Sequence, residues 1–163
     1  MYDAKQIGDR LREAFGQTNK AAVFTGSAQG LGRATAQLFS EVIADLNLDA
    51  ANRSKAEMFE MTTQQWNAML NVTLRGTFWC SRAAISRMKK RGQGGAIVNI
   101  SSVGAIHPTI WGIRGPIIGA GRIPMGRTAA LLEVAQAVVF LTSPAASYLT
   151  GQIVAADGGF MVS

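Results

Sequence analysis

The strongest constraint on this chain is local. The apolar run AAVFTG closes on Gly26, Gly30 and Gly32 follow within the stretch TGSAQGLG, and LGRATAQLFSE continues in residues that favour helix. A short apolar run bounded by glycine reads as a buried strand, and Leu31, Ala34 and Leu38 share one face of the helix that follows. Strand, glycine turn and helix in that order open an α/β fold. Glycines at such a turn let the backbone approach a pyrophosphate closely, and the helix start supplies N–H groups and the positive end of a dipole. The spacing is neither Gly-x-Gly-x-x-Gly nor a P-loop, which requires Lys followed by Ser or Thr. A purely structural helix-opening turn is the competing reading.

The rest of the chain extends the pattern. Ile7, Leu11 and Phe15 form one stripe of a short helix over Asp3 to Phe15. VIAD, Val42 to Asp45, makes a second short strand that ends on a carboxylate. Asp45 at that tip suits the diol of a ribose and repels a 2′-phosphate, favouring NAD over NADP, and Gln29 rather than a cation stands in the glycine turn; a loop-capping acid is the alternative for Asp45. Thr62 or Thr63 then caps a long helix in which Trp66, Met69, Leu70, Leu74 and Phe78 follow a helical period. GGAIVNIS reads as a β-branched strand, LLEVAQAVVFLTS as an amphipathic helix stopped by Pro144, and GQIVAADGG as a last strand.

Composition narrows the classes. The chain has 163 residues, 48% of them hydrophobic and only 16% charged, which fits a single layered domain rather than a disordered tail. The net charge is +6. Its one dense basic run, RMKKRGQGG, falls where the long helix should end, and cations there complement the helix dipole. No aromatic residues interleave with those charges, so nucleic acid is not an expected partner. Cys80 is the sole cysteine, which excludes an internal disulfide and points to a reducing compartment. Its apolar neighbours predict a buried, inert thiol, and His107, the sole histidine, has no tie to it. With no signal-like segment and no apolar run of membrane-spanning length, the expectation is a cytoplasmic protein without a membrane partner. No cluster of metal-ligand type occurs, so no metal is expected.

These stretches together resemble the short-chain dehydrogenase/reductase family. TGSAQGLGRATA resembles its Thr-Gly-x-x-x-Gly-x-Gly motif, and VIADLN its cofactor-selecting second strand. MTTQQWNAMLNVTLRGTFWCSRAA is similar to the fourth long helix, GGAIVNISSVGA to the strand bearing the catalytic serine, and EVAQAVVFLTSPAASYLTGQIVAADGG to the C-terminal signature. The resemblance implies a Rossmann-like doubly wound parallel sheet and hydride transfer between an alcohol or ketone carbon and NAD. It places the catalytic serine at Ser102 and the helper position, usually asparagine, at Thr73. Cofactor contacts fall on Gly26, Gln29, Gly30, Leu31, Gly32, Asp45 and Leu46, and on Pro108 and Ile110 in the loop under the nicotinamide. The family commonly forms tetramers, so a homo-oligomer is implied.

Two departures stand out. The family's tyrosine, followed four residues later by lysine, has no counterpart, since Tyr2 and Tyr148 both lack that lysine. The Asn-Asn-Ala-Gly motif is missing as well. Parallel neighbours need a crossover of a dozen or more residues, yet only the five residues Val103 to His107 separate the serine strand from Pro108 of IHPT, which resembles the nicotinamide loop. The chain thus reads as pieces of a longer relative, with joints expected near 41/42, within 47–52, near 104–106 and within 111–122. Two functions follow: an NAD-dependent oxidoreductase of alcohols and ketones, or a truncated, non-catalytic nucleotide-binding or protein-interaction module.

Overall fold

A computed structural model describes residues 4–16, 22–27, 29–39, 43–44, 60–103 and 123–162. The chain forms two compact units, one of Met1–Leu48 with Ser101–Ser163 and the other of Asp49–Ile100. All four expected joints, at 41/42, 47–52, 104–106 and 111–122, lie outside the described residues.

The first unit is built on a βαβ motif. Strand β1 (Phe24–Thr25) leads into helix α2 (Gly30–Phe39) and returns to strand β2 (Ile43–Ala44), with helix α1 (Ala4–Ala14) ahead of it. The two strands pair in parallel, Phe24 opposite Ile43 and Thr25 opposite Ala44. A parallel pair cannot be closed by a hairpin, so α2 is the crossover that makes it possible. This is the α/β order read from the sequence.

Helix α2 also carries the core. It packs against both α1 and α5 (Leu131–Leu141). Leu38 and Val139 are each 1% exposed and Ala135 is fully buried; Ile7, Leu11, Phe15, Leu31, Ala34 and Leu132 close around them. The stripes expected from periodicity in α1 and α2 are therefore the packed faces. Phe15 meets Phe140 edge to face at 6.3 Å between ring centroids, and Phe24 packs on Phe39 at 5.1 Å. Small residues set the distances. A Cβ added at Gly8 in α1 would lie 2.6 Å from the Leu38 carbonyl oxygen, so α1 and α2 approach as closely as backbones allow. Arg12, ion-paired with Asp9, also donates to that carbonyl.

Two strands expected from sequence are not formed. GGAIVNIS and GQIVAADGG carry no regular secondary structure, and Ile97, Ile100, Ile153 and Val154 are exposed. β-branched content alone does not make a strand. A parallel strand requires neighbours on its edges, and among the described residues the sheet consists of β1 and β2 only.

Among its described residues, the second unit is dominated by one long helical run. Helix α3 (Thr63–Leu70) continues through a π-helical stretch, Asn71–Gly76, into α4 (Thr77–Arg91). Thr62 starts it with a reciprocal cap: its hydroxyl accepts from the Gln65 N–H at 3.2 Å, and its own N–H donates to Gln65 Oε1 at 2.8 Å. Gly92, at φ 66°, ends it in the left-handed conformation, with Lys89, Lys90 and Arg91 in the last turn where the dipole favours cations. The basic run is thus a helix end, as its position suggested. No residue of this run is buried. Cys80 is exposed, contrary to the expectation of a buried thiol, because the apolar face around it has no second layer among the described residues of the unit.

The close contact at Gly8 sets a test. Alanine normally favours a helix over glycine by about 1 kcal/mol. Gly8→Ala should instead lower stability by about 1 to 3 kcal/mol, as overpacked sites do, read as a lower thermal midpoint. A raised midpoint would show that α1 and α2 have room to separate.

Candidate active site

The head of α2 gathers five of the residues singled out by sequence. Gly26 and Gly30 take positive φ angles, 68° and 57°, which only glycine adopts without strain. A Cβ at either would point into open space. Gly32 does the opposite: a Cβ there would lie 2.3 Å from the Gly26 carbonyl oxygen. One end of the turn is thus locked against β1 while the other leaves bare backbone uncovered. Gln29 accepts the Arg33 N–H at 3.3 Å, and Leu31 leans into the core. Beneath the turn Ser27 is fully buried, its hydroxyl 3.4 Å from the Phe24 carbonyl. The first amides of a helix have no carbonyl one turn back, so this head offers N–H donors, a positive dipole end and clearance for an anion. A pyrophosphate-bearing cofactor fits that cradle.

Ser102 is exposed, and the next residue, Val103, lines a cavity of about 420 Å³ within the first unit. That volume lies in the usual range for small-molecule sites. Among the described residues, three charged ones also line it, Arg127, Glu133 and Asp157. Arg127 binds Glu133 through two parallel hydrogen bonds, Nη1 to Oε2 at 2.7 Å and Nη2 to Oε1 at 2.6 Å. Glu133 Oε2 also accepts the Ala130 N–H at 2.8 Å, tying the loop before α5 to its first turn. The Arg127 fork, and then the Ala130 amide, hold the Glu133 carboxyl down at about 2, while Arg127 is raised by the same bond. Asp157 accepts from the Gly159 N–H at 2.9 Å through one oxygen and from the Met161 N–H at 3.0 Å through the other.

Thr73 lies in the second unit, in the π-helical stretch, where its carbonyl accepts the Thr77 hydroxyl at 2.7 Å. Such stretches are uncommon and often mark functional positions in helices. Asp45, Leu46, Pro108 and Ile110 lie outside the described residues. Sequence reading missed the Arg127, Glu133 and Asp157 set. Its only local signal is Glu133 three residues after Ala130, half of a capping box without the Ser or Thr that makes the pattern conspicuous. Among the described residues no group of three or more potential metal ligands occurs, and no helix is long and apolar enough to cross a membrane.

Comparison with known proteins bears on these features. Residues 48–113 match the family pattern described as short chain dehydrogenase, and residues 119–161 match that described as enoyl-(acyl carrier protein) reductase. Together the two cover more than half of the chain, though neither reaches the glycine turn. The chain is 29% identical to the uncharacterized oxidoreductase YohF of Escherichia coli strain K12, an alignment that covers 71% of this chain and spans 63% of that protein's length. It is 27% identical to the galactitol 2-dehydrogenase (L-tagatose-forming) of Cereibacter sphaeroides, covering 94% of this chain and 81% of the relative. That alignment runs over 206 positions, more than the chain contains, so the relative holds internal residues with no counterpart here. Among solved structures, that of a protein from Escherichia coli K-12 superposes with a TM-score of 0.65 at 23% identity, covering 98% of this chain and 94% of the other. That likeness establishes the Rossmann-like α/β fold.

The lowered Glu133 carboxyl predicts a pH dependence. A carboxylate held below its ordinary range stabilises the fold above that range, and the contribution is lost as pH falls through the folded-state value. Thermal midpoints should therefore drop as pH falls from about 5 toward 2. In Glu133→Gln that part of the slope should flatten; an identical slope would remove the ion pair from the account.

Proposed function

Since the chain belongs to the short-chain dehydrogenase/reductase family, we propose that it is an NAD-dependent oxidoreductase interconverting secondary alcohols and ketones. The observation that carries this reading is the glycine turn: open backbone at Gly26 and Gly30 ahead of the α2 N-terminus suits a dinucleotide pyrophosphate. The cofactor, when bound, supplies the hydride acceptor. Gly26, Gln29, Gly30, Leu31 and Gly32 are the residues that would hold its phosphates at the head of α2. Asp45 would take the adenosine ribose diol, with Leu46 beside it, and Pro108 and Ile110 would lie under the nicotinamide. The Asp45 carboxylate repels a 2′-phosphate, which supports NAD over NADP.

Ser102 would donate its hydroxyl hydrogen to the substrate oxygen, whose negative charge grows as the reaction proceeds in the reducing direction. Thr73 would stand at the family's helper position. The activities named for relatives, a galactitol 2-dehydrogenase among them, are of this reaction class. Cytoplasmic location and a homo-oligomeric assembly follow from the same family reading. One observation favours a competing reading, nucleotide binding without turnover: no tyrosine in the chain is followed by lysine four residues later.

NADH formation with a panel of secondary alcohols separates the two. The oxidoreductase reading expects turnover, and expects Ser102→Ala to lower kcat by about 10²- to 10³-fold, the usual loss for one oxyanion donor, with NAD affinity retained. Saturable NAD binding with no NADH from any alcohol would leave the non-catalytic reading standing. Asp45→Ala should weaken NAD binding and narrow its advantage over NADP; an unchanged preference would remove Asp45 from the cofactor site.

A further inference from the structure

The cavity beside Ser102 is chemically lopsided. Val103, Ile123, Met125, Val134, Ala156 and Phe160 make its apolar wall. Ile123 and Phe160 are buried, whereas Met125 is 64% exposed and stands at the mouth. The wall is held by backbone. The Met125 N–H donates to the Gly158 carbonyl at 3.2 Å. A Cβ at Gly158 would come within 2.7 Å of Ile123 Cγ2, so the glycine turn and the Ile123 segment are in tight contact. The three charges among its described lining residues are all engaged within the protein. Arg127 and Glu133 hold each other in a two-bonded pair, and both Asp157 oxygens accept backbone N–H groups of the turn. A guest carrying many hydroxyls would have to give up its water along the apolar side of this lining, which is unfavourable. A hydrocarbon body would gain from the same wall.

Position makes this more than a generic hollow. Val103, in the lining, is bonded to Ser102, so the apolar wall begins one residue along the chain from the residue assigned to the reacting oxygen. Resting on the dehydrogenase reading above, we infer that the cavity receives the hydrocarbon body of the substrate, and that the chain acts on apolar secondary alcohols and their ketones rather than on polyols. In the oxidation, the C–H bond at the alcohol carbon breaks as hydride to the nicotinamide of NAD, the O–H proton passes to water, and a ketone remains.

Cyclohexanol and myo-inositol share one six-carbon ring and differ in five hydroxyls, which makes them a matched pair of probes. The experiment measures kcat/KM for both, and for 2-propanol, with the full chain and NAD, alongside calorimetric titration of each alcohol. The inference expects cyclohexanol to exceed myo-inositol by at least about tenfold, the scale set by differences in pocket contacts. Met125→Asp, which places a carboxylate on the apolar side, should lower kcat/KM for cyclohexanol by about tenfold or more and that for 2-propanol by a smaller factor; Met125→Leu, which keeps that side apolar, should lower cyclohexanol use less than Met125→Asp does. Equal or better use of myo-inositol, or an unaffected cyclohexanol reaction in Met125→Asp, would overturn the inference while leaving the dehydrogenase reading intact. Calorimetric binding of cyclohexanol with no NADH from any alcohol would overturn the dehydrogenase reading, and with it the assignment of that guest as substrate.

Discussion

The contact between Gly32 and the Gly26 carbonyl fixes where β1 ends and α2 begins, and the rest of the first unit is arranged around that junction. With no side chain at Gly32, the helix starts hard against the strand. Leu31, Ala34 and Leu38 then face the hydrophobic cluster shared with α1 and α5, and β2 can return beside β1 in parallel register. The same junction leaves backbone uncovered at Gly26 and Gly30. Packing and ligand binding therefore draw on one short stretch: a side chain at Gly32 would strike the Gly26 carbonyl, whereas one at Gly26 or Gly30 would cover the open backbone.

Much of this was legible in the sequence because it is set locally. Periodicity placed Ile7, Leu11 and Phe15 on one stripe, which packs against the core, Thr62 or Thr63 announced the start of the long helix, and the basic run fell where the helix ends at Gly92. What depends on distant partners was not legible. GGAIVNIS and GQIVAADGG have the composition of strands, yet a strand is a property of a pair, and neither run has a neighbouring strand among the described residues. Cys80 was misjudged for the same reason: apolar neighbours along a helix bury a thiol only when another layer covers that face. The Arg127 and Glu133 pair, six residues apart, carries no conspicuous motif and emerges only once the loop before α5 is folded back on it.

The candidate site combines a family-wide component with a more particular one. Anion recognition at the head of α2 uses backbone alone, so it is insensitive to side-chain identity beyond the glycines. The cavity next along the chain from Ser102 is shaped by side chains, by Met125 and Phe160 and by the Arg127–Glu133 pair. Such a division lets one scaffold keep its cofactor chemistry while substrate preference changes with the lining.

The central claim is that bare backbone at the α2 head binds the dinucleotide. Calorimetric titration of the full chain with NAD, repeated on Gly30→Val with a thermal melt to confirm that both proteins fold, tests it most directly. The account predicts saturable binding in the wild type and a loss of at least about tenfold in the variant, or about 1.4 kcal/mol. Equal affinity in two folded proteins, or no binding to either, would contradict it.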